Sequence, residues 1–227
     1  MVDAPDPPVL AVLTRAPSSG GKTRLFASLG IPPDPRLLAA LLLDTLDGAA
    51  VPGVRRVVAV TPASACDAVR EIVGDMEVIG QPEGGLGERM RATMTTLFTR
   101  GAPVVALIGS DLPHITAAAV GDAYALVAND PDALVLGPAT DGGYYLVAAQ
   151  RVPDIFSGIV WGSPLVLSQT KRAAAAGRFH VHHLATLTDV DTVQDLRAAA
   201  RSGRSPRTAV WLDAYITRLG DRRVRAD

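Results

Sequence analysis

Apolar residues are arranged along this chain in two alternating rhythms. Short runs at 9–13, 56–61, 76–79, 103–108, 133–136, 144–148 and 179–182 are bounded by Gly, Pro or charged residues. Runs of that length predict buried β-strands. Between them the apolar positions recur every three or four residues, as at Leu38, Leu41, Leu42 and Leu46. This spacing predicts helices over 36–50, 63–73, 116–128 and 164–176. A shorter helix fits 23–29, another opens at the Gly cluster of 84–87 and runs to about residue 100, and a last one follows Asp191.

Strands alternating with helices make βαβ units, so the expected fold class is α/β, with a mostly parallel central sheet and helices on both faces. The run at 103–108 is the most apolar and belongs at the sheet centre. No internal repeat or low-complexity linker divides the chain, which predicts one domain over 9–200 after a disordered segment at 1–8. Residues 201–227 hold seven Arg and three Asp, while Trp211, Tyr215 and Leu219 recur four apart. A packed amphipathic helix with a basic face is expected there, with a nucleic-acid arm as the alternative.

Composition narrows the class without naming a reaction. Hydrophobic content is 48% and net charge −1, which fits a soluble globular protein with no nucleic-acid partner. The single cysteine, Cys66, excludes an internal disulfide and suits a reducing compartment. The start is acidic and Pro-rich, unlike a secretory signal, and no apolar run approaches the roughly 20 residues of a membrane span. A cytoplasmic protein, monomer or homodimer, is expected.

The chemistry begins where the first strand ends. Leu13 leads into Thr14-Arg15-Ala16-Pro17-Ser18-Ser19-Gly20-Gly21-Lys22-Thr23-Arg24. A buried strand emptying into a Gly- and Ser-rich loop with cations is a phosphate cradle, because freed backbone N–H groups and the cations face the anion together. The chain has 20 Arg but only two Lys, Lys22 and Lys171, so a lysine in this loop is a chosen point charge. Leu13, Arg15, Lys22, Thr23 and Arg24 are therefore candidate nucleotide contacts. A basic surface turn is the plainer alternative.

Three further clusters fall at strand ends, where open α/β sheets bind ligands. Gly85 and Gly87 allow a flat ligand close to the backbone, with Arg89 within reach of a phosphate, or they form an ordinary connection. Asp111 follows the most apolar strand and suits Mg²⁺, with a turn or cap role as the alternative. Asp189 and Asp191 lie two apart, so extended backbone points both carboxylates to one side and toward one ion. Asp191 could instead cap the last helix, with Asp195 in its first turn. Asp141-Gly142-Gly143-Tyr144-Tyr145 offers a carboxylate, two flexible residues and two phenols to an acceptor, and also reads as a hairpin turn. Ser163 is a further acceptor contact or a helix cap. His114, His180, His182 and His183 show no metal-ligand spacing, and His180 and His182 read as structural.

Residues 16–23 also miss a Walker A loop by one residue, with Ala16 in the place of the first Gly. Pro17 stiffens that loop, the following helix is too short for a P-loop helix, and the late Asp pair would have no role.

Taken together, the motifs resemble the GT-A-fold family of nucleotide-diphospho-sugar-transferase-like proteins associated with radical-SAM/selenodomain clusters. The matching segments are Thr14-Arg15-Ala16-Pro17, Gly21-Lys22-Thr23-Arg24-Leu25, Gly85-Leu86-Gly87-Glu88-Arg89-Met90, Gly109-Ser110-Asp111-Leu112-Pro113, Gly137-Pro138-Ala139, Asp141-Gly142-Gly143-Tyr144-Tyr145 and Asp189-Val190-Asp191-Thr192 with Asp195-Leu196. Three of them are also similar to the phospholactate guanylyltransferases of coenzyme F420 synthesis. Those enzymes have Thr and Asn where this chain has Tyr144 and Tyr145. The resemblance implies a single GT-A domain using Mg²⁺ or Mn²⁺ held by Asp111, Asp189 and Asp191, with the Lys22-Thr23-Arg24 segment on a triphosphate. The implied enzyme is a metal-dependent transferase with Lys22, Arg24 and Asp111 as catalytic residues. It would move a nucleotidyl group from an NTP to a small phosphorylated or carboxylated acceptor and release pyrophosphate, with Asp141, Gly142, Gly143 and Ser163 on the acceptor. Glycosyl transfer from a nucleotide-diphospho-sugar is the near alternative. A P-loop-like NTPase or kinase, or a non-catalytic nucleotide-binding domain, is the remote one.

Overall fold

Apolar runs become strands because only a sheet pairs the backbone groups of so short a buried segment. The computed structural model describes residues 6–224. In chain order the elements are β1 (Val9–Arg15), α1 (Thr23–Leu29), α2 (Pro35–Gly48), β2 (Arg55–Thr61), α3 (Cys66–Val73), β3 (Glu77–Gly80), α4 (Leu86–Thr99), β4 (Val105–Gly109) and α5 (Ala117–Ala128). There follow β5 (Ala133–Pro138), β6 (Tyr144–Ala149), α6 (Val166–Ala176), β7 (His180–His183), α7 (Val193–Arg201) and α8 (Pro206–Val224).

The seven strands form one sheet in the order β3-β2-β1-β4-β6-β5-β7. Every pairing is parallel except those of β6, which runs against β4 and β5. The reversal places the start of β6 beside the ends of β4 and β5, with Leu146 opposite Ile108 and Tyr144 opposite Pro138. Side chains alternate along β1 as the pleat requires. Leu10 and Val12 join α2, α3 and α5 on one face, and Val9 and Ala11 join α4 and α6 on the other. Each fully buried Val or Leu contributes roughly 1.5–3 kcal/mol. Leu37 and Leu41 turn from the sheet toward α1, α7 and α8, which make a third layer with Trp211 and Leu212 buried in it.

Helix starts are capped by side chains that satisfy otherwise orphaned N–H groups. Asp34 accepts from Arg36 N–H at 2.9 Å at the start of α2, and Thr116 accepts from Ala119 N–H at 3.2 Å at α5. Thr192 and Asp195 form a reciprocal capping box at α7. The cap of α8 comes from another element. Buried Asp44 on α2 accepts from Thr208 N–H and Thr208 Oγ1, both at 2.8 Å. The expected helix of the C-terminal stretch is α8, although the Leu219 side chain lies outside what is described. So do residues 1–5 of the expected disordered start at 1–8; within its described part, Pro8 O accepts from Arg55 N–H at 2.9 Å. Among the described residues no helix is long and apolar enough to cross a membrane.

Candidate active site

β1 runs two residues beyond its apolar stretch, because Thr14 and Arg15 pair in register with Val60 and Thr61 of β2. The loop after it turns through Pro17–Ser19 and ends at Lys22, whose φ of 48° is left-handed. A non-glycine residue held there costs free energy, and such positions concentrate at functional sites. The turn aims Lys22 inward just before α1 begins.

Lys22 Nζ meets three carboxylates. It donates to Asp111 Oδ2 and, at 2.6 Å, to Asp191 Oδ1, and Asp189 Oδ2 lies 3.9 Å away. One oxygen from each aspartate lies within 4.8 Å of the others. Burial opposes the Lys22 charge, but Asp111, by charge and hydrogen bond, and Asp191 outweigh it, so the pKa stands above that of an ordinary lysine. Burial of Asp189, reinforced by the Asp111 charge, pushes its pKa up to about 6 against the pull of Lys22.

The backbone explains why residues so far apart in sequence converge. Val190 N–H donates to Asp111 O at 3.0 Å, which seats the 189–191 segment on the end of β4. Thr45 of α2, fully buried, holds the same corner: its Oγ1 donates to Ser110 O and accepts from Leu112 N–H, both at 3.2 Å. Asp111 caps no helix, since Thr116 does that. Asp191 is likewise freed from capping by Thr192 and Asp195.

Two cavities meet at Asp111. One, of about 250 Å³, is lined by Leu13, Arg15, Lys22, Gln81 and Arg89 among others. Buried Gln81 donates to the Thr14 and Ala59 carbonyls, at 3.3 and 2.5 Å, and accepts from Arg89 Nη1 at 3.3 Å. Arg89 is pressed by its own burial and by the charge of Arg15, both of which lower its pKa. Its Nε is buried without a partner among the described residues. Cations crowded this way suit an anion. The other cavity, of about 340 Å³, is lined by Leu86, Met90, Asp141, Tyr144, Tyr145, Trp161, Ser163 and Asp189, among others. Trp161 stands edge-on to Tyr144, ring centres 6.2 Å apart.

Other sequence candidates are placed as follows. Thr23 and Arg24 are exposed on the first turn of α1 and line neither cavity. Gly85 starts α4, where its N–H donates to the Glu88 carboxylate at 2.7 Å. Gly87 faces protein: a Cβ there would lie 2.5 Å from Phe156 O and 2.7 Å from Trp161 Nε1. Gly142, at φ +90°, takes the hairpin turn between β5 and β6, and Asp141 Oδ1 accepts from Gly143 N–H at 2.8 Å. Asp141, Gly143 and Ser163 line the second cavity. His180 pairs with Asp130 at 2.7 Å, away from the site. Thr45, Gln81 and Trp161 stand outside the sequence candidates. Their importance comes from contacts distant along the chain and leaves no local motif.

A family model described as "Uncharacterized protein conserved in bacteria (DUF2064)" matches residues 45–163. A phosphoenolpyruvate guanylyltransferase of Salinispora arenicola is 31% identical over 192 residues, covering 83% of this chain and 86% of the relative. A crystal structure from Desulfovibrio desulfuricans G20, of a candidate nucleotide-diphospho-sugar transferase, shares 30% identity and superposes with a TM-score of 0.81, covering 92% of this chain and 96% of that one. A CMP:2-keto-3-deoxy-manno-octonic acid synthetase complexed with CTP shares the fold, with a TM-score of 0.57 at 15% identity, covering 87% and 99% of the two chains. The α/β fold is thus that of nucleotidyltransferase and GT-A-like domains.

Proposed function

We propose that this chain, a transferase that belongs to the DUF2064 family, moves a nucleotidyl group from a nucleoside triphosphate to a small acceptor and releases pyrophosphate. The observation that carries this is the meeting of two chemically opposite cavities at Asp111. The cavity with Arg15, Lys22 and Arg89 suits a triphosphate, and the aromatic-walled one suits an acceptor. The guanylyl transfer named for the Salinispora relative supports the same chemistry. We assign residues 9–200 to the transferase domain, with α8 packed upon it.

Asp111, Asp189 and Asp191 would hold Mg²⁺ or Mn²⁺. Three hard oxygens from separate carboxylates suit such an ion, and the Lys22 ammonium held among them supports a cation-binding role for the cluster. When bound, the ion would supply Lewis-acid polarisation of the α-phosphate. An oxygen of the acceptor's phosphate or carboxylate attacks the α-phosphorus. A new P–O bond forms, and the bond from the α-phosphorus to the oxygen bridging it to the β-phosphate breaks, its electron pair leaving on pyrophosphate. Lys22 is assigned to the charge that develops there. Leu13, Arg15 and Arg89, which line the cationic cavity, are assigned to the nucleotide, and Asp141, Gly143 and Ser163, which line the other, to the acceptor.

Glycosyl transfer is the second reading, favoured by the Desulfovibrio neighbour. The two differ in what leaves. Incubation with Mg²⁺, each NTP or nucleotide-sugar and a panel of phosphorylated or carboxylated acceptors should yield pyrophosphate from an NTP. Nucleoside diphosphate from a nucleotide-sugar would select glycosyl transfer instead, and neither product across the panel would remove the enzymatic reading.

A further inference from the structure

The second cavity is unbalanced in charge. Its walls are apolar or aromatic, chiefly Leu86, Met90, Tyr144, Trp161 and Val166, and its carboxylates are Asp111, Asp141 and Asp189. Among the described residues lining it there is no Lys, Arg or His. The cations Arg15, Lys22 and Arg89 all line the other cavity, beyond Asp111.

This distribution restricts the molecule that fits. One anionic group can be met at the Asp111–Asp189–Asp191 cluster, by a divalent cation or the Lys22 ammonium. A second on the same small molecule would meet rings, aliphatic side chains, Asp141, or the hydroxyls of Ser163 and Tyr145, whose protons already go to Val160 O and Ala185 O. Asp141 is oriented by the hydrogen bond from Gly143 N–H, so its carboxylate is a fixed feature of the wall. Charge placed against apolar surface without a partner is costly, and like charges at such range repel. The rings of Tyr144 and Trp161 favour a flat apolar body.

We infer that this cavity takes an acceptor with one anionic attacking group on an apolar, ring-bearing body, and that it discriminates against small acids carrying a second anionic group. The inference rests on the nucleotidyl-transfer reading in treating the cavity as the acceptor site. Under it, this chain parts from its Salinispora relative in acceptor while sharing the chemistry at the nucleotide.

Binding tests this apart from turnover. The chain has two tryptophans, Trp161 on the cavity and Trp211 on α8. Full-length protein labelled with 5-fluorotryptophan is titrated in Mg²⁺ buffer, without nucleotide, with phenyl phosphate and with phosphoenolpyruvate, which carries both a phosphate and a carboxylate. Phenyl phosphate should shift the Trp161 ¹⁹F resonance at a concentration at least tenfold lower than phosphoenolpyruvate, leaving Trp211 still. Asp141→Asn, which keeps the acceptor for Gly143 N–H, and Leu86→Arg, at an exposed position, should each strengthen phosphoenolpyruvate binding severalfold. Equal or tighter binding of phosphoenolpyruvate by the unsubstituted protein, no shift of Trp161 with phenyl phosphate, or no gain in either variant would overturn the inference. Failure of pyrophosphate release would overturn the reaction instead, and the two results are read separately.

Discussion

Lys22 is the residue on which the site turns. Its ammonium bridges carboxylates contributed by the end of β4 and by the segment before α7, and so competes for the place a divalent cation would take. Lys22→Met should therefore tighten Mn²⁺ binding measured by calorimetry, while lowering the rate of pyrophosphate release about 100-fold by removing a positioned charge. Asp189 makes a pH argument. Its pKa, about 6 in the fold against 3.8 ordinarily, means that between those values only the folded chain holds this proton. The stabilisation is complete below 3.8 and is lost as pH rises through about 6. Asp189→Asn should flatten this part of the pH dependence of thermal unfolding, and at pH 7 stabilise the metal-free protein by about 1–2 kcal/mol. Mn²⁺ affinity of the unsubstituted chain should climb as pH passes about 6. Neither change would be seen if Asp189 were solvated normally. At this scale much was legible: Lys22, Asp111 and the 189–191 pair stand out because each follows a buried strand or alternates along extended chain. Thr45 and Gln81 were not, since an ordinary helical Thr and a loop Gln acquire meaning only from carbonyls far away in sequence.

At the scale of elements, periodicity was a good guide to where helices and strands lie and a poor one to how they meet. The strand at 144–148 reads like its neighbours, because a run buried on both faces looks the same in either direction. Only the short turn at Gly142 hints that β6 runs back against β5. That reversal carries Tyr144 and Tyr145 to the edge where Asp111 stands. The C-terminal stretch shows a similar limit. The spacing of Trp211 and Tyr215 indicates a helix, but its anchor, Asp44, lies inside α2 and is 1% exposed. Removing a buried carboxylate that accepts from Thr208 N–H and Oγ1 leaves those donors unsatisfied. Asp44→Ala should cost about 2–4 kcal/mol in urea unfolding. Asp44→Asn, which keeps one acceptor oxygen, should cost less. Equal stability of all three would show that α8 is held by its apolar face alone.

Across the whole molecule, the parallel sheet brings the ends of β1, β2 and β4 together, and the folded-back β6 adds an aromatic wall beside them. The cationic cavity and the aromatic one share the Asp111 corner, so the reacting groups of two substrates would meet where the carboxylates gather. Following the α-phosphorus tests this meeting: an NTP labelled at that position is incubated with Mg²⁺ and an accepted acceptor, and the label is traced. Labelled nucleotide covalently joined to the acceptor is expected from the unsubstituted chain and is lost in Asp111→Ala. Label remaining wholly in free nucleotide, or transfer by Asp111→Ala at the unsubstituted rate, would contradict it.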